Sequence, residues 1–138
     1  MVHTPYFKAG IAGDGMYNRS LTPNGFQNER RDFWDGQKVY LDMSPFMYAD
    51  KLTGALLMYH SMEDQNVGTA LESSTRMMHA LEGLGKTAAL YVYPYEDHGP
   101  LTKETILDQW ARWVAWLDVY VKHAGTPGAT VTKAAIVQ

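Results

Sequence analysis

Three short stretches of the chain are predominantly apolar, and each is bounded by residues that break a strand. Phe7 to Gly13 follows Pro5 and ends at Gly13-Asp14-Gly15, which reads as a short buried strand. Ala55 to Tyr59 follows Gly54 without a polar interruption, the mark of a strand covered on both faces in a parallel sheet. Thr87 to Tyr93 is rich in β-branched and aromatic residues and stops at Pro94, which has no N–H for a sheet ladder.

Between the second and third of these the apolar period lengthens. Thr69 and Glu72 are spaced as a capping box, Met77, Met78, Leu81 and Leu84 recur at helical spacing, and Gly85 supplies a stop. From Thr102 onward Ile106, Trp110, Trp113, Val114, Leu117 and Val121 form an apolar stripe, with Asp108, Arg112 and Lys122 opposite. This predicts a helix of about five turns ending near Gly125 and Pro127. Trp110 and Trp113 would lie in the core and Trp116 at its edge. Met16 to Lys51 has no sustained period and predicts loops and short helices, with Thr22 before Pro23 as one helix start and Gly36 as a helix stop. Gly125 to Gln138 reads as a loose tail.

Strands alternating with helices imply right-handed crossovers and a parallel sheet. The class is α/β, a three-stranded parallel sheet portion with flanking helices. Because the second and third strands read as covered on both faces, so small a sheet leaves an apolar edge, which points to a larger unit.

Composition changes this picture by exclusion. At 138 residues the chain holds one domain, expected over 1–124 with 125–138 as the tail. Twelve basic against fifteen acidic residues, without a basic cluster, argue against nucleic acid as a partner. Without cysteine there is no disulfide, thiolate zinc site or cysteine nucleophile, and the cellular compartment stays open. No apolar run approaches the roughly 20 residues that cross a bilayer, so no membrane is expected as a partner, and Met1 to Gly10 lacks the order of a signal peptide.

Ligands and catalytic groups in open α/β sheets gather at the carboxyl ends of the strands. The two strand-end loops there are His60 to Gly68 and Pro94 to Pro100. They carry Asp64 and His98, on loops that follow neighbouring strands. A carboxylate on one ring nitrogen fixes the imidazole tautomer and leaves the other nitrogen to take a proton from a nucleophile. The chain order Asp then His matches the tail of the Ser, Asp, His order of α/β-hydrolases, yet none of the five serines has the flanking glycines of a nucleophile elbow. Asp14, between Gly13 and Gly15, is a weak alternative as a carboxylate nucleophile. His60 near Glu63 and Asp64 lacks any zinc-binding spacing and reads as a strand-end histidine held by local hydrogen bonds. No cofactor or metal is implied.

At this point the residues resemble a known family. Leu56 to Val67, with His60-Ser61-Met62-Glu63-Asp64-Gln65-Asn66-Val67 at its end, resembles the strand and His-Gly-x-x-Asp-x-x-Val segment of prolyl oligopeptidase family serine peptidases, with Ser61 where glycine is usual. Leu84-Gly85-Lys86, Tyr93-Pro94 and His98-Gly99 resemble the segments around that family's catalytic histidine. Gly15 to Arg19 and Thr22 to Arg31 resemble its glutamyl endopeptidase-like branch. The resemblance implies a partial α/β-hydrolase fold, with Asp64 and His98 as triad members, Asn66 and Val67 lining the substrate pocket and Tyr17 helping to wall it. The family's Gly-x-Ser-x-Gly elbow would fall upstream of Met1. The expectation is therefore a peptidase portion inactive by itself, acting on peptide substrates once joined to the N-terminal part of the enzyme. The alternative is a non-catalytic module that binds that part, another partner or a second copy of itself.

Overall fold

The computed structural model describes residues 1–125 and 136–137. Three strands, β1 (Ala9–Gly13), β2 (Ala55–Ser61) and β3 (Ala88–Tyr93), pair in parallel and in chain order, with Ile11 opposite Leu57 and Met58 opposite Leu90. They coincide with the three apolar stretches. Helix α2 (Leu71–Gly83) makes the crossover from β2 to β3, and α3 (Lys103–Leu117) follows β3 and runs on into a π-helical turn, Asp118–Lys122.

Alternation along the strands divides the core in two. Leu56, Met58, Ala88, Leu90 and Val92 face α2, where Met77, Met78 and Leu81 meet them. Ala55, Leu57 and Ala89 face α3 and its continuation, packing on Trp116 with Tyr59, Tyr91, Trp113 and Tyr120 around it. Helix α2 ends as its sequence predicts: Gly85 takes φ +65°, its N–H reaches the Glu82 carbonyl, and that of Lys86 reaches the Leu81 carbonyl.

The long β1–β2 connection holds a short 3-10 turn at Arg19–Leu21, helix α1 (Gln37–Asp42) and a second 3-10 segment, Pro45–Lys51. Tyr40 anchors it. Fully buried, its hydroxyl donates to the Arg31 carbonyl at 2.8 Å and accepts the Gly25 N–H at 2.7 Å, while Phe26 and Phe33 meet its ring edge-on.

Several expectations are corrected. Gly36 precedes α1 rather than ending a helix, and Thr22 closes the Arg19–Leu21 turn rather than starting one. The capping box is not formed: α2 begins at Leu71, and Thr69 turns its hydroxyl to Asp64 instead. Helix α3 is rotated from the predicted orientation, with Trp116 buried and Trp110, Val114, Leu107 and Leu117 exposed. The face read as polar lies on the sheet because the sheet offers it partners: Tyr93 donates to Asp108 at 2.8 Å, and the Arg112 guanidinium stacks 3.9 Å over Tyr91. The loose-tail reading falls largely outside the described residues, but Ile136–Val137 forms a two-residue strand, β4, parallel to β3. Among the described residues no helix is long and apolar enough to cross a membrane.

Candidate active site

The parallel register brings the carboxyl ends of β1, β2 and β3 to one edge, and the loops leaving β2 and β3 are tied together there. The Met62 N–H donates to the Tyr93 carbonyl at 2.8 Å and that of Glu63 to the Glu96 carbonyl at 3.1 Å. Asp97 bridges the same loops, its Oδ1 accepting the Gln65 N–H at 2.9 Å and the His98 N–H at 2.7 Å. Behind His98 the buried Glu96 carboxylate accepts from the Thr102 hydroxyl and, at 2.7 Å, from the Leu101 N–H. The Thr102 hydroxyl foremost, then Thr105 and the Leu101 amide, hold Glu96 down to about 2.

On this frame Asp64 and His98 meet. His98 Nδ1 lies 3.0 Å from Asp64 Oδ2, the histidine half-exposed and the Asp64 side chain almost fully covered. Asp64 Oδ1 accepts the Asn66 N–H at 2.8 Å, and the Thr69 hydroxyl donates to Oδ2 at 2.8 Å while lying 3.3 Å from His98 Nδ1. Burial pushes the Asp64 carboxyl up, but the His98, Asn66 and Thr69 hydrogen bonds together bring it below its ordinary value. The Asp64 hydrogen bond raises His98 above its ordinary value against the opposing effect of burial. Nδ1 thus carries the proton toward Asp64, and Nε2 is the ring nitrogen that Asp64 does not engage.

His98 opens on a cavity of about 480 Å³ whose walls include Asp14, Arg19, Phe26, Asn66 and Thr69, with Gly13, Gly25, Gly68 and Gly99 between them. Asp14 closes it at the end of β1 with a left-handed backbone, φ +41°. Its Oδ1 accepts the Ser61 N–H at 2.7 Å and its own N–H reaches the Tyr59 carbonyl at 3.0 Å, so it pins β1 to β2.

Of the other expected pocket residues, Asn66 is on this wall. Val67 is not: it is 96 % exposed, on the outside of the turn closed by the Thr69 N–H and the Asn66 carbonyl. Tyr17 does not wall the cavity either. It is buried in the α2-side core, its N–H bound to Ser73 Oγ at 2.7 Å, and burial holds its hydroxyl far above the usual tyrosine range. His60 is held by local hydrogen bonds, Nδ1 to Ser74 Oγ at 2.7 Å and Nε2 to the Thr69 carbonyl at 2.8 Å. Its ligand atoms cluster with those of Asp14 and Asp64, but both nitrogens are already engaged. None of the five serines lines the cavity.

Pattern reading did not single out Thr69, Arg19 or Phe26 as site residues. Thr69 was assigned to a helix cap, and Arg19 and Phe26 lie in an aperiodic stretch where the resemblance to the glutamyl endopeptidase-like branch was the available signal.

A parallel sheet with helices on both faces and a carboxylate–imidazole pair at its carboxyl edge defines an α/β-hydrolase architecture. The family description "Prolyl oligopeptidase family" matches residues 1–124, and the chain belongs to that family. It is 44% identical over 121 residues to a probable chloroplastic glutamyl endopeptidase of Arabidopsis thaliana and 41% identical over 121 residues to the counterpart in Oryza sativa subsp. japonica. Each alignment covers 87% of this chain and 13% of the relative, so the chain spans about an eighth of those proteins. The fold is also that of the acylaminoacyl peptidase of Pyrococcus horikoshii, with a TM-score of 0.75 at 24% identity, over 88% of this chain and 21% of that one.

Proposed function

We propose that these residues form the aspartate and histidine part of a serine peptidase active site that hydrolyses peptide bonds through an acyl-enzyme. The observation that carries this reading is the 3.0 Å contact of His98 Nδ1 with a covered Asp64 carboxylate beside an open cavity. In the assembled enzyme His98 Nε2 takes the proton of the serine hydroxyl as it attacks the scissile carbonyl, then returns it to the leaving amine. Asp64 orients the ring and stabilises the imidazolium. The nucleophile and the oxyanion-hole donors come from a segment outside these 138 residues, for which the edge of β1, unpaired among the described residues, is the natural neighbour, its end forming the cavity wall at Gly13 and Asp14. The names of the plant relatives bring to this chain an expectation of cleavage beside glutamate.

The test is fluorophosphonate labelling of the 138-residue chain alone and of the chain fused to a serine-bearing upstream half taken from a relative. The isolated chain should not label. The fusion should label at the elbow serine and lose its peptidase activity by about 10³-fold or more in His98→Ala, given how strongly triad members depend on one another. Specific labelling of the isolated chain would overturn the division of the site.

A second reading is favoured by the exposed apolar side of α3, where Trp110, Val114 and Leu117 meet solvent: a module that docks on another chain or on its own copy.

A further inference from the structure

The cavity in front of His98 has a charged wall that proton transfer does not use. Arg19 opens the 3-10 turn after β1, and its backbone is fixed: its N–H donates at 2.8 Å to Ser44 Oγ, which is fully buried and itself donates to the Tyr40 carbonyl at 2.6 Å. The side chain then runs along the cavity, its guanidinium 4.6 Å over the Phe26 ring. Its Nε is buried and meets no acceptor. Among the described residues no carboxylate forms an ion pair with it, since Glu29 is held bidentately by Arg31 and Asp14 accepts from the Ser61 backbone. Burial lowers the Arg19 pKa with no acid to offset it.

A partly buried guanidinium without an acceptor is costly, and a folded chain keeps one mainly where something else completes it. The planar fork of arginine matches a carboxylate, and stacking on Phe26 fixes the plane in which the fork is presented. The cavity is large enough for one amino-acid side chain and adjoining backbone. Its cationic wall belongs to a chain of net charge -3, so it is a local feature and not part of a basic surface.

We propose that Arg19 is a specificity-determining residue: it pairs with the side-chain carboxylate of an acidic substrate residue whose carbonyl is presented to the catalytic centre at His98. The role in cleavage rests on the peptidase reading of Asp64 and His98; the carboxylate site itself does not. Phe26 holds the guanidinium, and the glycines between the wall residues let the substrate backbone approach closely.

Binding is measurable without catalysis. NMR titration of the 138-residue chain with N-acetyl-glutamate amide, N-acetyl-glutamine amide and N-acetyl-alanine separates the shape, the side-chain charge and a terminal carboxylate. The glutamate amide should bind at least about tenfold more tightly than the glutamine amide, moving the Arg19 Nε–H and Gly25 and Gly99 amide signals, in keeping with a charge-assisted bidentate pair. Arg19→Met should abolish that preference, and Arg19→Lys, which keeps the charge, should retain part of it. Equal binding of the two amides, a preference surviving in Arg19→Met, or tighter binding of N-acetyl-alanine would each overturn the assignment. In the fused enzyme the two readings fail separately. Hydrolysis that depends on His98 but ignores glutamate against glutamine overturns Arg19's role alone, whereas an Arg19-dependent preference with hydrolysis indifferent to His98→Ala overturns the peptidase reading.

Discussion

At the scale of single residues, Asp64 Oδ2 is shared by His98 and Thr69, with His60 Nε2 3.5 Å away. The pKa directions make the pair pH-dependent. Asp64 is lowered from 3.8, so its contribution to stability is present above that value and is lost as pH falls through the lower folded one. His98 is raised from 6.5, so its contribution is complete below that value and fades as pH rises through the higher folded one. Asp64→Asn should therefore narrow its melting-temperature deficit on both sides of a window from about pH 3.8 to 6.5, and His98 should titrate lower in the variant, both readable by calorimetry and NMR. Removing the Thr69 hydroxyl with Thr69→Val should raise the Asp64 pKa, while Thr69→Ser should leave it nearly in place. If Val and Ser behave alike, Thr69 is only a packing residue.

At the scale of elements, what was legible in the chain was its periodicity and what was not was its orientation. β2 and β3 show because largely covered parallel strands are apolar without interruption, β1 because a short apolar run is bounded by Pro5 and by Gly13-Asp14-Gly15, and the end of α2 because Gly85 occupies a position that favours glycine. The face of α3 was misread because a helical wheel identifies an apolar stripe and not which side meets the sheet. Here the sheet carries Tyr91 and Tyr93, which take Arg112 and Asp108, so a polar-looking face is the inner one. Trp116→Ala should accordingly cost about 3–5 kcal/mol in denaturant unfolding and Trp110→Ala about 0.5 kcal/mol or less, the reverse of the order expected from the stripe. Asp64 and His98 were visible because strand-end loops are where such groups sit. Thr69 was not, because a Ser or Thr three positions before Glu is equally the signature of a helix cap. Thr102 does cap α3, accepting the Thr105 N–H at 3.4 Å, and Thr102→Ala should cost about 1 kcal/mol.

At the scale of the whole molecule, the exposed Trp110, Val114 and Leu117 give α3 an apolar side in solvent, beside the one that packs on the sheet through Trp113 and Trp116 together with Asp108 and Arg112. If that outer side binds a second copy, the melting temperature should rise with protein concentration and cease to do so in a Trp110→Glu, Val114→Glu double variant. A concentration-independent melting temperature in the parent chain would exclude self-association through this surface. The same arrangement separates the two regions of interest, since α3's outer face and the cavity at His98 share no residue.

The parallel pairing of β2 and β3 also sets an order of events in folding. Asp64 lies in the β2–α2–β3 crossover and His98 on the loop just after β3, and the ends of that crossover are the nearest in sequence of any pair in the three-stranded core, whereas β1 reaches Ala55 only after the long connection has been closed into a loop. Loop closure opposes pairing of distant segments, so the Asp64–His98 pair should assemble in the rate-limiting step, and the wall bearing Arg19 and Phe26 should fold onto it afterwards. Mutations in β2 and β3 would then slow refolding, and those around Arg19 would mainly speed unfolding. The chemistry of this site would be laid down before its selectivity.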